Sequence, residues 1–174
     1  MSYRLNISLA LGMAVMASGP LNAQVAASPS AAPQGVVMQR ALSLDLAKTI
    51  AEASLSECRS KGFHIAVAVV DRAGQTIVLL RDEQAAPHLA ELARRKAYTA
   101  RIFRISTVDF QKRTATEPTM AAQRNIADVI ALGGGMPLVV GTETIGGVGS
   151  AGSTPDMDDA CAKAGAAKMA ELLK

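Results

Sequence analysis

From residue 43 onward the chain switches between two hydrophobic periods. Ala47, Ile50, Ala51, Ser54 and Cys58 recur at three- and four-residue spacing behind Ser43. That predicts a helix capped by the Ser43 hydroxyl and running to about Lys61, with Gly62 stopping it. The period then changes. "HIAVAVVD" over residues 64–71 is dense in β-branched side chains, "RAG" turns the chain, and "QTIVLLR" over 75–81 returns. This predicts a buried strand and its hairpin partner. A second helical stretch covers about residues 87–103, with Leu89, Leu92, Ala93, Lys96, Ala97, Ala100 and Phe103 on one face. Ser106 and Asp109 have capping-box spacing for a short helix, Pro118 breaks the chain beyond it, and "MAAQRNIADVI" over 120–130 predicts another short helix. "MPLVVG" (136–141) and "TIGGVG" (144–149) read as a second hairpin turning at Thr142-Glu143. Thr154 caps and Pro155 begins a last helix to Leu173, with Ala160, Ala164, Ala167 and Leu172 on one side.

Helix, two strands, helices, two strands, helix is an order of hairpins rather than crossovers. It implies an antiparallel sheet with helices packed on it, an α+β domain. Ahead of it, Arg4, the apolar run from Ile7 to Ala17 and the small residues toward Ala23 and Ala27 have the make-up of a secretory signal peptide over residues 1–27. Cleavage is expected after Ala23 or Ala27. The apolar run is too short to span a bilayer. Residues 28–40 are rich in Ser, Pro and Gly and read as a tether before one domain over 41–174. The expected location is periplasmic or secreted.

Composition narrows the function. The chain carries 18 Lys and Arg against 15 Asp and Glu. Without Arg4 the balance is 17 against 15, near +2. Four aromatic residues lie beyond the leader (Phe63, Tyr98, Phe103 and Phe110), and the basic residues form no block beyond Arg94-Arg95-Lys96. A stacking-type nucleic-acid binder needs more of both. Cys58 and Cys161 suit either a disulfide in an oxidising compartment or two small buried thiols in alanine-rich helices. No Cys/His cluster has zinc spacing and no Ser, His, Asp set presents itself.

The chemistry concentrates in "PHLAELARRKAYTA" (87–100). Lys96 falls in the stripe that packs on the sheet. A buried ammonium needs a partner, and the strand-end carboxylates Asp71 and Asp82 are the nearest in sequence; snorkelling to solvent is the alternative. His88 stands at the helix start, where the positive end of the helix dipole favours the neutral imidazole that binds a metal. The bland reading is an exposed histidine. His64, opening an apolar strand, reads as a partly buried structural residue. The glycines from Gly147 to Gly152 spell a dinucleotide pattern. That site needs a βαβ unit as well as an acidic residue about 20 positions on, and with only the last helix after these glycines no βαβ unit follows. These glycines, with Gly133-Gly134-Gly135, instead allow close approach of backbone to backbone or ligand. Asp156, Asp158 and Asp159 read as dipole partners at the start of the last helix.

Taken in order, "AVVDRAG", "RD", "PHLAELARRKAYTA", "GGGMP", "IGGVGSAG" and "DDACAKAG" resemble the GlcG/HbpS family of haem-binding proteins, which includes the C-terminal domain of PduO-type corrinoid adenosyltransferases. The resemblance covers residues 41–174. It implies a profilin-like α/β/α domain with a five-stranded antiparallel sheet, homo-oligomers, and haem as the cofactor of some members. Family positions map onto residues including Asp71, Asp82, Lys96, Gly134, Gly135 and Gly149. Residues 81–85 (Arg-Asp-Glu-Gln-Ala) depart from the family's Arg-x-Asp-Gly-Ala, and Ala151 replaces its usual Ser. On this resemblance His88 is the expected axial haem ligand, with Arg81, Arg95 and Lys96 facing the propionates. The alternatives are a small-molecule enzyme or sensor subunit with a pocket around Lys96 and Asp82, or a non-catalytic assembly module.

Overall fold

Helix α1 (Leu44–Arg59) leads into strands β1 (Ala66–Val70) and β2 (Thr76–Arg81), then helices α2 (Leu89–Phe103) and α3 (Thr107–Thr116). A 3-10 helix (Pro118–Asn125), strands β3 (Gly135–Val140) and β4 (Glu143–Ala151) and helix α4 (Pro155–Leu172) complete the chain. The computed structural model describes residues 35–174, and the compact domain within it is Gln39–Lys174. The expected signal peptide and the first part of the tether lie outside the described residues; residues 36–43 carry no helix or strand.

The sheet is antiparallel throughout, in the order β2-β1-β4-β3. It has four strands among the described residues, not the five that the resemblance implied. The segment between α3 and β3 is spent on a 3-10 helix and a loop instead. The second hairpin turns one residue earlier than expected. Val140 pairs with Glu143, so Gly141-Thr142 makes the turn, and Gly141 takes the left-handed conformation (φ 61°) that glycine adopts without penalty. The helix expected over 120–130 is a 3-10 helix begun by Pro118, with no buried residue. Without an apolar stripe to bury, nothing favours its extension into an α-helix.

Alternation along β1 separates the two faces. Ala66, Ala68 and Val70 meet Ala93 and Ala97 of α2, while Val67 and Val69 enter the larger core with Ile50, Leu138 and Val148 beneath α1 and α4. The result is three layers: α2, the sheet, and the α1/α4 pair. Helix α2 lies directly on β4, because a Cβ at Gly149 would run into the Ala93 carbonyl oxygen. The close-approach role read for these glycines is therefore observed. The caps at Ser43, Ser106 and Thr154 form as read, each hydroxyl accepting a backbone N–H.

Helix α4 is rotated from expectation. Its buried stripe is Asp158, Cys161, Ala162, Gly165 and Met169, whereas Ala167 and Leu172 are exposed. Alanine on every side leaves the apolar pattern with little directional preference, so specific contacts orient the helix. One is the disulfide between Cys58 and Cys161, which joins α1 to α4. The bridge spans a sequence separation of 103 residues. Closing so long a loop constrains the unfolded chain strongly. Replacing both cysteines (Cys58→Ala with Cys161→Ala) is expected to cost about 2–5 kcal/mol, read as a lower urea midpoint. An unchanged midpoint would mean that the bridge contributes nothing in solution.

Candidate functional site

Lys96 is fully buried and paired. Its Nζ donates to Asp158 Oδ2 at 2.7 Å and to the Ser150 carbonyl at 2.9 Å. Burial pushes the ammonium below its ordinary pKa, and the charge and hydrogen bond of Asp158 oppose that shift. Asp158 Oδ1 accepts the backbone N–H (3.0 Å) and hydroxyl (2.9 Å) of Ser153. Both carboxylate oxygens are therefore satisfied inside the fold. Gly134, at φ +117°, leaves the space: a Cβ there would lie 2.9 Å from Lys96 Nζ and 2.8 Å from Asp158 Cβ. The buried pair was legible in the sequence but its partner was not. Asp71 and Asp82 are engaged elsewhere, and Asp158, read as a mere dipole partner, supplies the carboxylate.

Asp82 is also buried and belongs to a second cluster. Arg59 Nε donates to its Oδ2 at 2.7 Å, and His64 Nδ1 lies 3.4 Å from the same oxygen. The Arg59 guanidinium holds the Asp82 carboxyl well below the usual carboxylate range. His64 is half-exposed at the strand entrance, facing this carboxylate. Lys96 and Asp82 thus belong to separate ion pairs, and a shared pocket around them does not form.

His88 occupies the N-cap position of α2, exposed, with no side-chain capping bond. Arg81 ends β2, opposite Ala66 on the face that α2 covers. Its guanidinium donates to the carbonyl oxygens of Asp82 and Ala85, ordering the loop that carries His88. Arg95 follows His88 by seven residues, two helical turns and so the same side of α2. It donates to the Val129 carbonyl at 2.8 Å, while its Nε is buried without a partner among the described residues. Lys96 points away from this side, into the protein. Its ammonium is committed to Asp158 and Ser150 and does not reach a ligand on the surface.

The donor set at His88 suits a haem in kind: an uncommitted imidazole, two guanidiniums, and an exposed Leu79 two residues before Arg81 on β2. One copy of the domain gives this imidazole no deep apolar enclosure. Two surface recesses lie elsewhere, one against Arg40, Asp71, Arg72 and Arg101, the other between α3 and the start of α4. No group of three or more His, Cys, Asp and Glu that could hold a metal ion occurs among the described residues, and no described helix is long and apolar enough to cross a membrane.

The layers define the class: an α/β/α domain whose antiparallel sheet is locked between helices by a buried ion pair. The chain belongs to the HbpS-like family, described as haem degrading protein HbpS-like, whose pattern matches residues 42–167. It is 37% identical to a doubly substituted variant of Streptomyces reticuli HbpS, whose crystal structure superposes with a TM-score of 0.73 over 82% of this chain and 97% of that one. Protein GlcG of Escherichia coli is 32% identical over 108 residues, 62% of this chain and 79% of GlcG. The crystal structure of a PduOC:heme complex shares the fold, with a TM-score of 0.65 at 24% identity, over 73% of this chain and 94% of that one.

Two measurements check the site's electrostatics. Lys96→Met keeps the stem but leaves Asp158 charged and buried, which is expected to cost about 3–5 kcal/mol. Lys112→Met, on the exposed side of α3, serves as control and should stay within about 0.5 kcal/mol. Adding Asp158→Asn to Lys96→Met should cost less than the sum of the single changes; strict additivity would contradict the pairing. Asp82 has a folded pKa depressed below its unfolded value, so its stabilisation is present above the ordinary carboxylate range and is lost as pH falls through that range. Asp82→Asn should therefore lose less stability than the native chain between pH 7 and pH 3. Parallel acid profiles would refute the assignment.

Proposed function

We propose that this chain is a haem-binding protein working outside the cytoplasm, with His88 as the iron ligand and Arg81 and Arg95 facing the propionates. The match to the HbpS-like family across residues 42–167 carries the reading. The imidazole supports it, being exposed and free of any capping bond. Neutral imidazole is a common iron ligand in haem proteins, and guanidinium forks suit carboxylates. When bound, haem supplies redox-active iron. The protein's own contribution is to orient that iron by an imidazole fixed at a helix start and to neutralise the propionates.

Haem binding is the proposed activity. The Cys58–Cys161 bridge supports an oxidising compartment, since disulfides persist there. Homo-oligomers are part of the proposal. Leu79 remains substantially exposed, at 48%, and a second subunit over it would add the apolar cover that one copy does not give a haem.

Titrating haem into the purified chain tests the reading. A sharp Soret band saturating at one haem per chain is expected, weakened at least about tenfold in His88→Ala. Arg81→Gln and Arg95→Gln should each weaken it less, with the band position unchanged. An unshifted haem spectrum, or full binding by His88→Ala, would remove His88 from the proposal.

A further inference from the structure

A recess of about 450 Å³ opens at the other end of α2, where the chain leaves β1. Three guanidiniums line it: Arg40 ahead of α1, Arg72 in the β1–β2 turn, and Arg101 in the last turn of α2. We propose that this recess is a binding site for a small organic anion, gripped through a carboxylate or phosphate group by Arg101 with Arg72 and Arg40.

The arrangement of charge carries the proposal. Two carboxylates lie at the rim, and each is already engaged through at least one oxygen. Asp71 Oδ1 accepts the N–H groups of Ala73 (2.8 Å) and Gln75 (2.9 Å), which holds the turn. Glu143 Oε2 accepts both terminal nitrogens of Arg72, at 2.9 and 2.8 Å, while its Oε1 lies 3.9 Å from Arg40. Three guanidiniums thus share two acids, and Arg101 is the one left over. Its Nε is buried with no hydrogen-bond partner among the described residues.

A buried donor without an acceptor is costly, and guanidinium groups are seldom left so. Here the cost is compounded. Burial, then the charges of Arg104 and Arg72, disfavour the protonated form of Arg101, with Asp71 pulling the other way. Backbone packing fixes the side chain's root: Arg101 Cβ lies where a Cβ on Gly147 would come within 3.1 Å, so α2 holds this residue tightly over β4. A cation pre-placed against other cations, in a recess within the ~300–1,000 Å³ range of small-molecule sites, suits an oxyanion. Carboxylate and phosphate both match the planar guanidinium fork.

This site is separate from the one proposed for haem. His88 and Arg101 are 13 residues apart on α2, about 20 Å along the axis at 1.5 Å per residue. Neither site depends on the other being filled.

The test uses the full haem-free chain in calorimetric titrations at matched ionic strength, with chloride as background. Inorganic phosphate and malonate are the probes. One of them is expected to saturate at one per chain, and which one does so tells phosphate from carboxylate ligands. Arg101→Met should weaken that binding at least about tenfold. Arg101→Lys should retain part of it, since the charge remains but the fork is lost. Thermal melts without anion should show Arg101→Met at least as stable as the native chain, because the change removes an unsatisfied buried donor. Should Arg101→Met fail to fold, Arg40→Gln at the exposed rim carries the test, with an expected weakening of about threefold. Saturation by neither anion below roughly 10 mM would overturn the proposal, as would native affinity in Arg101→Met or, in its place, Arg40→Gln. His88→Ala should bind the anion as the native chain does, so failure of the haem reading leaves this result untouched.

Discussion

The contact between Lys96 and Asp158 ties the two outer layers of the domain together. Lys96 belongs to α2 on one face of the sheet, Asp158 to the first turns of α4 on the other. The ammonium passes the end of the sheet at Gly134 and Ser150, taking a carbonyl on the way. Removing both charges from water is expensive, and the structure offsets that cost by hydrogen-bonding the ammonium and both carboxylate oxygens. Ser153 gives two hydrogen bonds to the far oxygen of Asp158, and Gly134 yields the volume that a side chain would occupy. The rotation of α4 follows. With Asp158 facing inward, Cys161 and Ala162 come round one turn later, and Gly165 one turn after that. Cys161 meets Cys58, and Gly165 packs against Ser54, where a Cβ would collide with the hydroxyl.

The other constraint is the separation between α2 and β4. Side chains in this layer are almost all alanine or glycine, so backbone rests nearly on backbone. Such a layer offers little apolar area per residue, since burial energy scales with area removed from water. The larger core under α1 and α4, with Ile50, Val67, Val69, Leu138 and Val148, supplies most of it. The thin layer contributes specificity instead: α2 fits one register, and Lys96 marks it.

What was legible in the sequence tracks the strength of local signals. β-branched runs gave β1 and β2, and hydroxyl caps gave the starts of α1, α3 and α4, because both act through neighbours a few residues away. The hydrophobic stripe of α2 located Lys96 in the interior for the same reason. Partners distant in sequence were another matter. Asp158 lies 62 residues from Lys96, and its position at a helix start offered a sufficient local explanation as a dipole partner. A lysine in the buried stripe, which needs a carboxylate from some other element, was the available clue. The face of α4 was misread because its alanines are spread around the helix and favour no side. The fold's fifth strand was an expectation from resemblance, and the 3-10 helix after Pro118 stands where local pattern gave only a weak helix. Of the candidate site, His88 at the helix start was recoverable. The unshared charge of Arg101 was not, since it depends on Arg40, Arg72 and Glu143 meeting from three separate segments.

Helix α2 thus has a buried anchor near its middle and exposed chemistry at both ends. Because Lys96 fixes its register on the sheet, the imidazole at one end and the guanidinium at the other are held by the same pair. The macrodipole favours cations in the last turn, which offsets part of the cost of crowding Arg101 against Arg72 and Arg104. It does not supply the acceptor that the buried Nε lacks. Repulsion from like charges would ordinarily be relieved by swinging a flexible arginine into solvent. At Arg101 the close seat on Gly147 fixes the root of the side chain beside the recess. The positive recess is therefore built into the way α2 rests on β4, and it persists for as long as the Lys96–Asp158 pair holds the helix there.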